Sequence, residues 1–327
     1  MSQNLAIIGA GNVAPFHVEA ALNAGFKVTS IAASENSQSA LQLSRRFQIP
    51  KYYPSVEELL NENNFDCLSI MIPPAATEKI LAKVALLDKP TIIEKPVALS
   101  SNFLENFIDN KNIFVGFNRR FYTTISELKS ESSKNKGIYS FEAVESLNSK
   151  QSIYLSIQNA IMNNSVHIID LIKYLVGNYE LKDYIYSQTN HTLIARIFVK
   201  NEYIGELKIS FESKKNTKIE FESSNLNLIL KPLEILQKYN DLQISDPTTD
   251  TPVRIYSPNW NDKKSPGIVY EPGPFKPGFA DQYEEFINFC EKNIMPIRLA
   301  TLKDAQYTIQ TCERLMEQYG RNLNYGN

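Results

Sequence analysis

An N-terminal doubly wound parallel sheet, followed by a second α+β domain on an open, largely antiparallel sheet, is the architecture this 327-residue chain encodes. Three observations lead there. Short apolar runs alternate with helical stretches through the first 117 residues. A glycine-rich turn joins the first apolar run to the first helix. Beyond residue 136, segments of strict apolar–polar alternation take over. The length asks for two domains, because single cores stop growing near ~250–300 residues.

Residues 4–8, NLAII, form the first strand, ending in GAGNVA, and PFHVEAALNAG after it carries helical spacing. KVTSIAAS is a second strand. SQSALQLSRRFQI reads as a helix, SVEELLNEN as another with Ser55 as its N-cap, and DCLSIMI as a strand. AATEKILAKVALLD is helical again, and TIIE and NIFVGF are further strands. Strand–helix–strand units of these lengths make right-handed crossovers and a parallel sheet. The interior strands are unbroken apolar runs, as strands covered on both faces must be.

Residues 137–146, 181–188, 191–200, 203–212 and 217–231 alternate β-branched or aromatic residues with polar ones. That pattern predicts antiparallel strands with one covered face. SPNWNDKKSPGIVYEPGPFKPG has five prolines between 258 and 277 and reads as an irregular excursion. It holds the only tryptophan, Trp260, placed either at a substrate or on a partner subunit. Two amphipathic helices, FADQYEEFINFCEKN and TLKDAQYTIQTCERLMEQYG, close the chain.

Composition excludes several classes. A net charge of −2 gives no electrostatic footprint for nucleic acid or an anionic membrane. Cys67, Cys290 and Cys312 are odd in number, far apart and without C-x-x-C spacing, against both a disulfide framework and a thiolate zinc site. His17, His167 and His191 form no H-x-x-x-H pair, so no metal is expected. The N-terminus lacks a basic n-region, and no 18-residue apolar stretch occurs. A cytoplasmic protein is the simplest expectation.

In a parallel sheet the first strand–helix turn carries the chemistry. Here it is Gly9-Ala10-Gly11-Asn12-Val13-Ala14, a G-x-G-x-x-A. Gly9 permits the tight turn, Gly11 lets a pyrophosphate approach, and Ala14 lets helix pack on strand. Asn12, Val13 and the helix start supply free N–H groups and a positive dipole end. No carboxylate stands at the end of the second strand to take an adenosine ribose. Ser34 is there instead, able to bond a ribose hydroxyl or a 2′-phosphate, with Glu35 one position late. No arginine stands beside it. NAD and NADP both remain open.

Lys95 stands directly after the strand TIIE, and Pro96 fixes the next φ. Ligands bind at the carboxyl ends of such strands, so this lysine faces the cofactor side. Further on, NNSVHIIDLIKYLVG reads as one helix over 163–177. Ile168, Ile169, Leu171, Ile172 and Leu175 make its core stripe, and Gly177 is its C-cap signal. Asn163, His167 and Asp170 stand at i, i+4 and i+7, on one face.

GAGNVA, IPP (72–74), EKP (94–96), GFNRRF (116–121) and this histidine helix occur in an order that closely resembles the Gfo/Idh/MocA family of NAD(P)-dependent sugar oxidoreductases. The resemblance runs strongly to residue 121, returns at 163–177 and is weak through the final helices. It implies a Rossmann domain over 1–119 and a substrate-binding, oligomerising domain over 120–327, with the last helices packing back on the first. It implies NAD or NADP held by the glycine turn, Ser34, Pro73, Glu94 and Lys95, and a Lys95–Pro96 bond that can be cis. His167 becomes the proton-exchanging group and Lys95 its catalytic partner, while Asn163 occupies the position of the family's aspartate. Asn118, Arg119 and Asp170 become substrate contacts.

The implied substrate is a sugar or nucleotide-sugar, in the family often a precursor of surface polysaccharide. The implied assembly is a homodimer or homotetramer through the C-terminal sheet. A neutral amide at 163 cannot stabilise an imidazolium, so the His167 pKa is expected to be low. Two rivals stand beside this reading. One is a cofactor-binding sensor without turnover, favoured by Asn163 and the missing ribose acid. The other is a reductase for an unrelated carbonyl, such as an imine or a tetrapyrrole, which has no need of His167.

Overall fold

The computed structural model describes residues 3–148, 150–188, 190–211, 213–240, 242–258 and 268–324. The chain begins with β1 (Asn4–Ile8), α1 (Ala14–Asn23), β2 (Lys27–Ala32), α2 (Gln38–Phe47), β3 (Lys51–Tyr53) and α3 (Val56–Glu62). It continues through β4 (Cys67–Ile70), α4 (Pro74–Leu86), β5 (Thr91–Glu94), β6 (Ile113–Gly116) and α5 (Thr123–Ser132). Then come β7 (Gly137–Glu145), α6 (Ile153–Ala160), a π turn (Ile161–Ser165) and α7 (Val166–Val176). Strands β8 (Glu180–Ser187), β9 (Thr192–Val199), β10 (Glu202–Phe211), β11 (Lys218–Ser223), β12 (Asn227–Leu230) and β13 (Ile235–Tyr239) follow. The last elements are β14 (Leu242–Ser245), β15 (Ile255–Pro258), β16 (Ile268–Tyr270), α8 (Phe279–Lys292), β17 (Ala300–Thr301) and α9 (Leu302–Asn324).

Two compact units result. The first gathers Met1–Phe121, Ile161–Leu171 and Gly273–Glu317; the second holds Tyr122–Ala160, Ile172–Pro272 and Gln318–Asn327.

The first unit is the doubly wound sheet. Its order is β17-β6-β5-β4-β1-β2-β3, parallel throughout except for β17, which runs antiparallel to β6 at one edge. The strand order reverses between β1 and β4, and the crevice at such a switch point is where a ligand binds. Leu5, Ile7, Ile31, Ile92 and Phe114 from the sheet pack with Val18 of α1 and with Tyr283, Phe286 and Phe289 of α8. Phe114 and Phe289 meet edge to face, ring centres 4.9 Å apart. Ser55 caps α3 as its sequence position foretells, its Oγ accepting from Glu57 N–H at 3.1 Å and Glu58 N–H at 3.3 Å. The edge strand β3, only Lys51–Tyr53, carries too short a pattern to be seen beforehand.

The second unit is built on an eight-stranded sheet, ordered β16-β13-β12-β11-β7-β10-β9-β8. It is antiparallel but for one pair, β7 with β10. Residues 217–231 are two strands rather than one, because Ser223 N–H bonds Leu226 O at 2.8 Å and turns the chain. The proline-rich stretch is not wholly irregular: β15 pairs with β14, and β16 extends the sheet beside β13. Trp260 lies outside the described residues. Helices α5 and α6 went unanticipated. No helix among the described residues is long and apolar enough to cross a membrane.

Candidate active site

The glycine turn is built as its sequence requires. Gly9 has φ +104°, and a Cβ there would stand 2.4 Å from Met71 O, so no other residue fits without displacing backbone. Its N–H donates to Ala32 O at 2.9 Å, tying β1 to β2, and Ala14 N–H closes the turn onto Gly11 O at 3.0 Å. Around the Cβ position of Gly11 there is nothing within 4 Å. Val13 is the N-cap of α1 and no side chain caps that helix, whose first turn holds no acid. An open backbone at an uncapped helix start suits a pyrophosphate. Ser34 is exposed just past β2, its carbonyl accepting from the Tyr52 hydroxyl at 3.1 Å. Pro73 is the N-cap residue of α4 on the far side of the switch point.

At the end of β5, the Lys95–Pro96 peptide is cis. Lys95 is half-buried, and its Nζ donates to the backbone carbonyl of Asn163 at 2.7 Å. That contact joins the strand end to the segment bearing His167. The preceding Glu94 is held from below. His17 Nε2 lies 2.9 Å from Glu94 Oε1, His17 Nδ1 3.0 Å from the Tyr283 hydroxyl, and that hydroxyl 2.6 Å from Ser69 Oγ. One tautomer satisfies the chain: Ser69 donates to Tyr283, Tyr283 to Nδ1, and Nε2–H to the carboxylate.

The histidine segment departs from the single predicted helix. Residues 161–165 are wound as a π turn, and α7 begins only at Val166. Gly177 ends α7 as expected, at φ +82° with its N–H on Lys173 O at 2.9 Å. The wider turn breaks the α spacing between Asn163 and His167. Asn163 is exposed, and what it gives Lys95 is its main-chain oxygen. His167 is 8% exposed, packs edge-on to Phe117 with ring centres 6.2 Å apart, and has no partner for Nδ1. Asn163 therefore does not orient the ring through that nitrogen. Burial, then the positive charges of Arg119, Lys95 and Lys276, hold the His167 pKa well below its usual range. The direction agrees with the expectation, but its main cause is desolvation, where the expectation rested on the amide at 163.

Two of the three residues expected to contact substrate, Asn118 and Asp170, are bonded within the protein. Asp170 is 1% exposed, and both its oxygens accept from Arg120, Nη2 at 2.6 Å and Nε at 2.8 Å. Arg120 Nη1 also lies 3.4 Å from Asp304 Oδ2 and from the Arg298 carbonyl. This fork clamps the 3-10 turn Asn118–Phe121 to α7 and α9. Asn118 Nδ2 donates to Pro277 O at 3.0 Å. Of the three, only Arg119 is half-exposed and directs its charge at His167.

Sequence reasoning missed His17, Tyr283, Ser69 and Arg120. His17 stands one turn after Ala14, on the side of α1 that meets the sheet; that spacing was the available signal. Gln282 was missed too. It is fully buried on α8, both amide atoms lack partners, and Nε2 lies 3.6 Å from a Cβ built on Gly116.

Comparison with known proteins follows the same lines. Residues 3–110 match the oxidoreductase family with an NAD-binding Rossmann fold, Gfo/Idh/MocA. No curated protein sequence matches the chain. Among solved structures, UDP-N-acetylglucosamine 3-dehydrogenase from Acidithiobacillus ferrooxidans is similar at TM-score 0.72 and 16% identity, over 97% of each chain. Myo-inositol dehydrogenase from Lactobacillus casei, solved with NAD(H) and myo-inositol, is similar at 0.70 and 18%, over 96% of this chain and 93% of that one. Levoglucosan dehydrogenase, solved with NADH and levoglucosan, is similar at 0.71 and 16%, over 98% of each. At such identities the structural likeness speaks for the fold. The family match covers residues 3–110, a third of the chain, and that third holds both the glycine turn and Lys95.

Proposed function

We propose that the chain is an NAD(P)-dependent oxidoreductase that interconverts a hydroxyl and a ketone on a sugar or nucleotide-sugar. The observation carrying this is the contact between Lys95 Nζ and Asn163 O, which sets an ammonium beside the helix of a buried, unpartnered His167. The site residues fit the cofactor: Gly9, Gly11, Asn12, Val13 and Ala14 would hold its pyrophosphate, Ser34 and Pro73 its adenosine half, and Glu94 and Lys95 its nicotinamide half. When bound, such a dinucleotide accepts or delivers a hydride.

The protein does the rest. His167, neutral because it is buried among positive charges, takes the proton of the substrate hydroxyl. Lys95 donates to the same oxygen and stabilises the negative charge that develops there. Arg119, with Lys95 and Lys276, adds to the burial that keeps His167 from holding a proton at rest. Asn118, Arg120 and Asp170 position these groups and leave the substrate to others.

The test needs two steps. NADH and NADPH fluorescence titration should show binding, and Gly11→Asp should abolish it with the fold intact. Lys95→Ala should keep cofactor affinity within a few-fold while lowering turnover about 10²-fold or more, as for a positioned catalytic group. The substrate screen is formation of reduced cofactor with free sugars and nucleotide-sugars. Near wild-type turnover in Lys95→Ala would sink the assignment.

The sensor reading draws on one observation, the absence of a carboxylate partner on His167. It predicts tight cofactor binding with no turnover on any sugar. Assembly through the second unit's sheet is part of the proposal. One face of that sheet carries Phe141, Leu207, Ile209 and Phe221, all buried, and the other Glu142, Lys208 and Glu220, half-buried. Sedimentation of the purified chain tests whether that second face is covered by another copy.

A further inference from the structure

Ser34 stands where a ribose-binding carboxylate is expected, and the sequence puts no arginine next to it. The fold brings one from further along. A pocket of about 330 Å³ opens beside the glycine turn, lined by Gly11 and Asn12 of the turn, Pro15 of α1, and Ser39, Gln42 and Arg46 of α2. Ser39, Gln42 and Arg46 stand at i, i+3 and i+7 and so share one face of that helix.

The cation in this corner is Arg46, and its present partner is the Glu19 carboxylate. Ser37 Oγ already takes the Ala40 N–H at 3.3 Å, so a phosphate here must be held by side chains, and the first turn of α2 contains no acid to oppose it. The only carboxylate between Ala33 and Pro50 is Glu35, which is exposed and outside the pocket lining. Arg46 is anchored by groups that leave it able to turn. Its Nη2 donates to Glu19 Oε1 at 2.5 Å, in a pair whose side chains are 58% and 34% exposed, and its guanidinium lies 4.8 Å from the Phe47 ring centre. Exposed pairs of this kind contribute little, so a phosphate can displace Glu19. A guanidinium offers a phosphate two parallel N–H donors, which an ammonium or an amide cannot.

We propose that this pocket seats the 2′-phosphate of a phosphorylated adenosine ribose, held by Arg46 with Ser39 and Gln42 as neutral donors, so that the chain prefers NADP(H) over NAD(H). The proposal rests on the dinucleotide reading above and decides what that reading leaves open. An unphosphorylated ribose finds no carboxylate here to accept its 2′-hydroxyl. Glu19 becomes a built-in competitor for the phosphate, which sets how strong the preference is.

The experiment is a fluorescence titration of the purified chain with NADPH and with NADH, with 2′,5′-ADP and 5′-AMP as competitors. NADPH is expected to bind about tenfold tighter or more, the measure of one charge-assisted bidentate contact. The 2′,5′-ADP should compete better than 5′-AMP. Arg46→Ala should remove about tenfold of NADPH affinity and leave NADH within about twofold, and Arg46→Lys should recover part of the loss. Glu19→Gln should tighten NADPH alone. Equal or tighter NADH binding by the wild type overturns the proposal and leaves the dinucleotide reading standing. So does an Arg46→Ala variant that weakens both nucleotides alike. Failure of either nucleotide to bind overturns the dinucleotide reading, and the proposal falls with it.

Discussion

Two buried histidines of the first unit make opposite use of one side chain. His17 is 1% exposed with both nitrogens bonded, to Glu94 at 2.9 Å and Tyr283 at 3.0 Å. His167 is 8% exposed, leaves Nδ1 bare and lies in the field of three cations. A satisfied imidazole has nothing to gain by exchanging protons. A bare one in a buried, positive setting costs stability and leaves a hydrogen bond open for the substrate hydroxyl that the proposal assigns to it. Burial does not separate architecture from chemistry here; the unfilled hydrogen bond does.

The sharpest way to break that comparison is to remove the bare ring. His167→Asn should lower kcat/KM by about 10²–10⁴-fold, the usual effect of losing a general acid/base. Stability should stay within about 1 kcal/mol, because no hydrogen bond to the ring is lost. Steady-state kinetics and a urea midpoint check both halves. A variant that keeps its turnover but unfolds easily would make His167 a core residue.

The bonded ring should answer the other way. His17→Ala leaves the Glu94 carboxylate without its buried donor and takes one partner from the Tyr283 hydroxyl. A cost of about 2–3 kcal/mol follows from stranding such groups, read as a lower urea midpoint with the m-value unchanged. Turnover should change only through the placement of Lys95, one residue beyond Glu94. A cost under about 0.5 kcal/mol would mean the network is decorative.

Which of these features the sequence shows depends on how local their physics is. The glycine turn is legible because Gly9 answers a local demand, a positive φ against Met71 O. The strand end at Lys95 is legible for the same reason, since proline announces itself. The π turn is not: the apolar stripe of 166–176 has helical period, and nothing in Met162, Asn163 or Asn164 says that the winding changes before it. Arg119 and Arg120 are adjacent and chemically alike. Only the position of Asp170 across the fold decides that the second turns inward, at 4% exposure. His17, Tyr283 and Ser69 come from three distant segments, so their bonds exist only after folding.

The pH dependence sharpens the comparison at a smaller scale. The His167 pKa is depressed in the folded chain, mainly by burial, against about 6.5 when unfolded. Above that value the ring is neutral in both states and adds no pH dependence. As pH falls below it, the unfolded chain binds a proton that the folded chain refuses. Stability then declines by up to about 1.4 kcal/mol per pH unit until the folded pKa is reached. His167→Asn should flatten that slope, measured by urea unfolding between pH 7 and pH 5. An unchanged slope would mean that His167 is not the group responsible.

The smallest effect concerns Asn163. On an unbroken helix, Asn163→Asp would set a carboxylate one turn before His167 and raise its pKa strongly. The structure denies it that place. Residue 163 is exposed on the π turn and meets Lys95 through its main-chain oxygen, which substitution does not alter. A solvated carboxylate acts on the ring through water, at the few tenths of a kcal/mol typical of exposed pairs. The acid limb of kcat/KM should therefore move upward by only a few tenths of a pH unit. Arg119→Gln should move it further, because Arg119 is the first of the three cations holding the pKa down. The pH profiles of the two variants, taken with the same substrate, decide between the geometries. If Asn163→Asp shifts the limb by a full unit, more than Arg119→Gln, its carboxylate reaches the ring and the π turn has rewound to an α-helix.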